Sequence, residues 1–367
     1  MTKPVFDFAA GKPWIINEAM EATMHETIEE EGPRFATEAL RAEEVRQLRR
    51  DPDLRAQLRD AYDEAGINLP SVTMSGRDPT KHFLGPESVQ RALSQWHARI
   101  DAIDWLNKVT SPAEARAVAD RDEVGVIINV QDLGTAIDGD IDNIEHLYNQ
   151  GVRLMQLTYN RQNILGTGCT DRSDGGLSYW GLDAIERLNE LGAVVDLSHC
   201  GKQTTLDAIE QSDEPVAFTH TFCAEVADHD RAKSDEELKA LAENDGYMGI
   251  VALRFFLAAG MAEQTSIDIF FDHLEHAVDI LGVDRVGLGS DFGEGHDVDY
   301  PDELQTGVSE EAGWRPEHGV DNPSHFDEVK HYSDLHVIRD GLEDRFTENE
   351  VDKILGENFL SFWERIQ

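Results

Sequence analysis

The sequence predicts an α/β protein, and within that class a (β/α)8 barrel. Three observations carry the prediction. Short β-branched or aromatic runs alternate with helical patterns along most of the chain. Eight such runs can be counted, and most are continuously apolar, as expected of parallel strands covered on both faces. Several runs end on polar residues of the kind that build sites at the C-terminal face of a barrel: Gln131, His199, His220 and Asp291.

In chain order the expected strands are Trp14–Asn17, Asn68–Met74, Val124–Val130, Arg153–Tyr159, Ala193–Ser198, Val216–Thr219, Tyr247–Leu253 and Arg285–Gly289. Tyr179–Leu191 reads as an amphipathic helix, with Leu182, Ile185, Leu188 and Leu191 on one face and Gly192 as its stop. Ser234 opens another with a capping-box Glu237. Ser266–Leu281 places Ile267, Phe270, Leu274 and Ala277 at helical spacing. Residues 18–65 read as an acidic helical insertion after the first strand, and 293–333 as a long loop over the barrel mouth. Thr347–Gln367 reads as two closing helices that dock Phe359, Leu360 and Phe362 into the core. The whole of 1–367 is expected to form one barrel domain, with an open doubly wound sheet as the alternative.

Composition narrows the partners. Lys+Arg number 32 and Asp+Glu 73, a net charge of −41. Such a surface suits a salty cytoplasm and argues against nucleic acid and anionic membranes. The three cysteines, Cys169, Cys200 and Cys223, give no disulfide framework. The N-terminus lacks an apolar signal region and no run reaches membrane-spanning length, so a soluble cytoplasmic protein is expected.

A lone histidine at a strand end is usually a hydrogen-bonded core residue. Two histidines and an aspartate at matching strand ends make a ligand set for zinc or a similar divalent ion. His199, His220 and Asp291 are therefore the expected metal ligands. Gln131 reads as a substrate contact or a structural amide. Glu18, Cys169 and His296 are candidate additional ligands; for Cys169 and His296 the plain reading is a loop residue. The glycine-rich stretch 160–176, which opens with Asn160, allows close backbone approach to a substrate but matches no phosphate loop.

Several segments together resemble the membrane dipeptidase (renal dipeptidase-like) family. They are GVRLMQLTYN at 151–160, GLDAIERLNELGAVVDLSH at 181–199, PVAFTHT at 215–221, HDRAKSDEELKALAENDGYMGIV at 229–251, DHLEHAVDILGVDRVGLGSDF at 272–292 and KILGENFLSFWERI at 353–366. The resemblance implies an amidohydrolase-like barrel and hydrolysis of dipeptides or similar small carboxylate-bearing amides. It assigns His199 and His220 to the family's late histidine ligands and Asp291 to the carboxylate that holds or activates water. Arg231 matches an arginine that holds the substrate carboxylate, and Asn160 lies among the substrate contacts.

The departures are equally specific. The family opens with a His-x-Asp pair on the first strand, whereas PWIINEAME has none. Its bridging glutamate falls on Gln131, and a neutral amide bridges two cations poorly. Its histidine after the fourth strand falls on Tyr159, which is left to donate to a developing oxyanion. The expectation is thus a metallodipeptidase-like hydrolase with one zinc ion rather than two. The alternatives are a mononuclear lyase, isomerase or deaminase acting on a small amino-acid derivative, or a non-catalytic ligand-binding barrel. A homodimer is consistent with the resemblance.

Overall fold

The computed structural model describes residues 3–9, 13, 15–32, 36–74, 85–259, 265–292, 313–320 and 325–367. Its strands are β1 (Phe6–Asp7), β2 (Leu69–Thr73), β3 (Leu106–Val109), β4 (Val124–Val130), β5 (Val152–Gln156), β6 (Val194–Asp196), β7 (Ala217–Thr221), β8 (Tyr247–Ile250) and β9 (Val286–Leu288). All pairings are parallel, in the order β1-β2-β4-β5-β6-β7-β8-β9, with β3 attached to β4 off this path. The eight strands of the path make a nearly closed barrel. Where β9 returns to β1 there is no ladder. Instead Asp291 N–H donates to the Phe8 carbonyl at 3.3 Å, and the Ser290 N–H and hydroxyl both donate to the Asp7 carboxylate at 2.6 and 2.5 Å.

The first strand is not where the apolar pattern put it. The segment before the helix Glu18–Glu30 is not a strand; Asn17 caps that helix, accepting from the Ala19 and Met20 N–H groups, and Trp14 lies outside the described residues. The true strand, Phe6–Asp7, escapes a pattern search because only two residues pair and one is a buried aspartate whose partner is Ser290. β3 also went unpredicted, since Asn107 and Lys108 interrupt its apolar character. The acidic stretch 18–65 is helical, as Glu18–Glu30, Ala36–Leu48 and Pro52–Ala65. Most of 293–333 falls outside the described residues, His296 included.

Alternation along the strands sorts side chains to two cores. Leu69, Val109, Ile127, Leu154, Val194, Ala217 and Tyr247 form one cluster with Phe6, Phe359, Phe362 and Trp363. The C-terminal helix Asn358–Ile366 thus plugs the base of the barrel, with Phe359 stacked on Phe6 at 3.5 Å. The larger cluster, including Val126, Ile128, Met155, Val195, Phe218 and Met248, faces the surrounding helices. Two residues further along the inward positions the lining turns polar: Ser71, Asn129, Gln156, Asp196 and Thr219, all buried. Asn129 donates to Ser71 at 2.9 Å, and Thr219 to Asp196 at 2.6 Å. This polar layer is the floor on which the site is built. Its geometry needs bare backbone at Gly249 and Gly289, where a Cβ would lie 2.1 Å from the Thr219 carbonyl oxygen, next to His220.

Candidate metal and active site

The strand ends deliver the polar residues to one mouth. Gln131 follows β4, Tyr159 and Asn160 follow β5, His199 follows β6, His220 lies in β7 and Asp291 follows β9. Asp132, Asn160 and Asp291 all have positive φ, at 61°, 57° and 56°. Aspartate and asparagine tolerate this left-handed conformation better than most residues, and it turns the chain sharply off the barrel rim. The β7–β8 register shifts between Phe218 and Thr221, an irregularity of the kind that re-aims a side chain, and His220 sits within it.

The histidines are held by their outer nitrogens. His199 Nδ1 donates to Asn160 Oδ1 at 2.6 Å. His220 Nδ1 lies 2.9 Å from Thr219 Oγ1, whose own proton goes to Asp196 Oδ2 at 2.6 Å. The threonine oxygen must therefore accept from His220, which places that imidazole's proton on Nδ1. Both Nε2 atoms are then lone-pair donors, and they face each other across 3.0 Å. Two lone pairs so placed repel unless a proton or a cation lies between them. Burial and the nearby Arg231 guanidinium hold both imidazoles well below their ordinary pKa, so an added proton is disfavoured. The pair fits a single divalent cation, and the hydrogen bonds behind it are the outer-shell partners that such ligands require.

A second cation is poorly served. Gln131 Nε2 lies 3.4 Å from His220 Nε2 and brings no charge. The end of β1, where a His-x-Asp pair would sit, carries Phe8 and Ala9. The Phe8 ring stacks on His220 at 4.9 Å and 22°, filling the space on that side with carbon.

Asp291, expected as the third ligand, is not drawn into the pair: its carboxylate oxygens and the two facing nitrogens do not all lie within 4.8 Å of one another. The remaining site residues act on one another electrostatically. Burial pushes the Asp291 carboxyl up to about 7 against the pull of Arg231. Burial and the Asp291 charge raise the Tyr159 hydroxyl far above its ordinary range, so it stays a donor, and its ring stacks on His199 at 4.2 Å. Arg231 is only 1% exposed. It donates to the Ser198 carbonyl at 2.8 Å, to Thr221 Oγ1 at 3.1 Å and to the His220 carbonyl, so it ties the two histidine strands together. Its Nε is buried and has no partner. Asn160 spends its amide oxygen on His199, which makes it a support of the histidine as the structure stands.

Of the other candidates, Cys169 borders the site, its thiol 3.4 Å from Asn160 Oδ1 and pushed by burial up to about 12, which leaves it protonated. Cys200 and Cys223 are buried. Glu18 is exposed in the first turn of the helix Glu18–Glu30. Sequence reading overlooked Asp196, Thr219 and Phe8. Asp196 had a signal, a carboxylate embedded in the apolar run AVVDL that demands a buried partner.

An eight-stranded parallel barrel with paired imidazoles at its strand ends defines an amidohydrolase-type architecture. The model of the membrane dipeptidase family (peptidase family M19) matches residues 55–306. The chain belongs to the membrane dipeptidase family. It is 26% identical over 249 residues, 67% of its length, to an uncharacterized dipeptidase of Schizosaccharomyces pombe, of which the match spans 54%. It is 34% identical over 151 residues, 41% of its length, to the dipeptidase verJ of Clonostachys rogersoniana, of which the match spans 38%. The chain thus aligns with about half or less of these curated relatives. A crystal structure of an amidohydrolase from Pseudomonas aeruginosa superposes with a TM-score of 0.75 at 25% identity, covering 85% of this chain and 92% of that one.

Proposed function

We propose that this protein is a metal-dependent hydrolase that cleaves the C–N bond of a dipeptide or a small carboxylate-bearing amide. The observation that carries the reading is the facing pair of His199 and His220 Nε2 atoms, each with its Nδ1 proton already committed. These two imidazoles would hold one zinc ion, which supplies Lewis acidity toward the scissile carbonyl and a nearby water, with Asp291 beside the pair rather than in one ligand cluster with it.

The protein's own groups do the rest. Asp291, at the end of β9, takes a proton from the attacking water and returns it to the leaving amine. Tyr159 stays protonated and donates to the developing oxyanion. Arg231 keeps its buried Nε for the substrate carboxylate, and the carbonyls that hold its other nitrogens fix the direction of that donor. Gln131 completes the lining toward the substrate, and Asn160, expected as a further contact, serves it through His199. The substrate is a small molecule, and the unpaired cysteines favour a reducing, cytoplasmic setting. Among the described residues no helix is long and apolar enough to cross a membrane.

The test is zinc content with dipeptide hydrolysis on the purified protein, beside His199→Ala. About one zinc per chain, lost together with activity in the variant, supports the reading. Full activity in His199→Ala sinks it. The Phe8 ring and Gln131 favour a second reading, in which a mononuclear site runs a lyase, isomerase or deaminase reaction on a small amino-acid derivative. Hydrolysis puts oxygen from labelled water into the product carboxylate; lyase or isomerase products lack it, and a deaminase leaves the peptide bond intact.

A further inference from the structure

The stretch 313–318 lies across the mouth and is anchored to two different rim loops. Arg315 donates to the Thr170 carbonyl at 2.7 Å, on the loop that follows β5. His318 Nε2 meets Asp230 Oδ2 at 3.1 Å, and its carbonyl accepts from His229 Nε2 at 2.9 Å, on the loop that follows β7. Gly313 is pressed against Asn160, where an added Cβ would come within 3.2 Å of the asparagine Cβ. Between these anchors sits Trp314, 7% exposed. Its ring is 6.4 Å from His199, 5.9 Å from His229 and 5.4 Å from Phe256. Phe256 in turn lies under the Arg231 guanidinium at 5.7 Å. One indole therefore reaches from the histidine pair to the ring beneath the arginine.

We infer that Trp314 is a specificity-determining residue that restricts the carboxylate-bearing residue of the substrate to a small side chain. The inference rests on the hydrolase reading above. A dipeptide with its scissile carbonyl at the histidine pair and its carboxylate at Arg231 must carry its C-terminal Cα between them. The side chain on that Cα meets the indole. The surroundings leave the ring little freedom to retreat, because Phe256, His229 and His318 already pack on it. Burial holds His229 near 4, so it adds no charge to this wall.

The experiment compares zinc-loaded wild type with Trp314→Ala and Trp314→Phe on Ala-Ala, Ala-Phe and Phe-Ala. Wild type should cleave Ala-Ala at least tenfold more efficiently than Ala-Phe. Trp314→Ala should erase that preference through KM, Trp314→Phe should soften it, and the ratio of Phe-Ala to Ala-Ala should not move. An unchanged Ala-Ala to Ala-Phe ratio in both variants overturns the inference, as does an equal shift at both positions. Phosphinate analogues of Ala-Ala and Ala-Phe, titrated calorimetrically into the same proteins, provide a readout that needs no turnover. If wild type cleaves no dipeptide, the hydrolase reading fails. Size discrimination between the analogues that Trp314→Ala loses would then still support the wall, and discrimination equal in all three proteins would overturn it.

Discussion

At the residue scale, the chemistry of this site is set by what stands behind each imidazole. Asn160 holds the His199 Nδ1 proton, and a Thr219–Asp196 relay holds that of His220. Removing such a partner costs metal affinity without removing a ligand. Asn160→Leu should weaken zinc binding by about 10–100-fold, read by chelator competition, while His199→Ala and His220→Ala abolish it. Equal affinity in Asn160→Leu and wild type would show that the asparagine does not orient the ring.

A second prediction concerns His273, fully buried between the Cys223 N–H, which donates to its Nδ1, and the Leu257 carbonyl, which accepts from its Nε2. Burial lowers its pKa to about 4 from an ordinary 6.5. Above pH 6.5 the imidazole is neutral whether folded or not, and nothing is lost. Between 6.5 and 4 the unfolded chain takes up a proton that the folded chain refuses. Stability should therefore fall as pH drops through that window, by about 1.4 kcal/mol per pH unit from this group. Urea titrations of wild type and His273→Gln should show a shallower pH dependence in the variant. Parallel curves would contradict the assignment.

At the element scale, the seam between β9 and β1 is held by one backbone hydrogen bond, from Asp291 to Phe8, and by the Asp7 carboxylate instead of a ladder. Ser290 gives both its N–H and its hydroxyl to Asp7, and all of these groups are buried. Asp7→Ala leaves two buried donors without a partner and should cost about 2–6 kcal/mol in urea unfolding, at roughly 1–3 kcal/mol per orphaned group. Ser290→Ala leaves the Asp7 Oδ2 atom and the Phe292 N–H, which donates to the serine hydroxyl at 3.2 Å, without partners and should cost a similar amount. A loss below about 1 kcal/mol in both variants would mean the seam is held elsewhere. This seam also explains the misplaced first strand. Apolar periodicity finds strands that pair along many residues, as β4 does at Val124–Val130, and cannot find a two-residue strand stabilised by one carboxylate.

For the whole molecule, the net charge of −41 means that folding gathers like charge into one body. Most ion pairs of the described residues, such as Lys202–Glu236 and Arg285–Asp245, are solvent-exposed and contribute little each. Screening should then help more than it harms. Raising sodium chloride from about 0.05 to 1 M, which shortens the Debye length to about 3 Å, should raise the thermal midpoint by a few degrees. A falling midpoint would show that the exposed pairs outweigh the repulsion.

Legible in the amino-acid order are the strand–helix alternation, seven of the eight strands on the barrel path, the plugging aromatics Phe359 and Phe362, and the histidine, tyrosine and aspartate positions at the rim. These are local signals: apolar runs, capping residues and polar residues interrupting them. Which nitrogen of each histidine faces inward is settled only in the folded chain, because it depends on Asn160 behind His199 and, for His220, on its neighbour Thr219 being committed to Asp196 of β6. The fold likewise sets Phe8 on His220 and Trp314 near His199, contacts that join segments more than a hundred residues apart. No periodicity encodes such contacts, since only the closure of the barrel brings those segments to the same mouth.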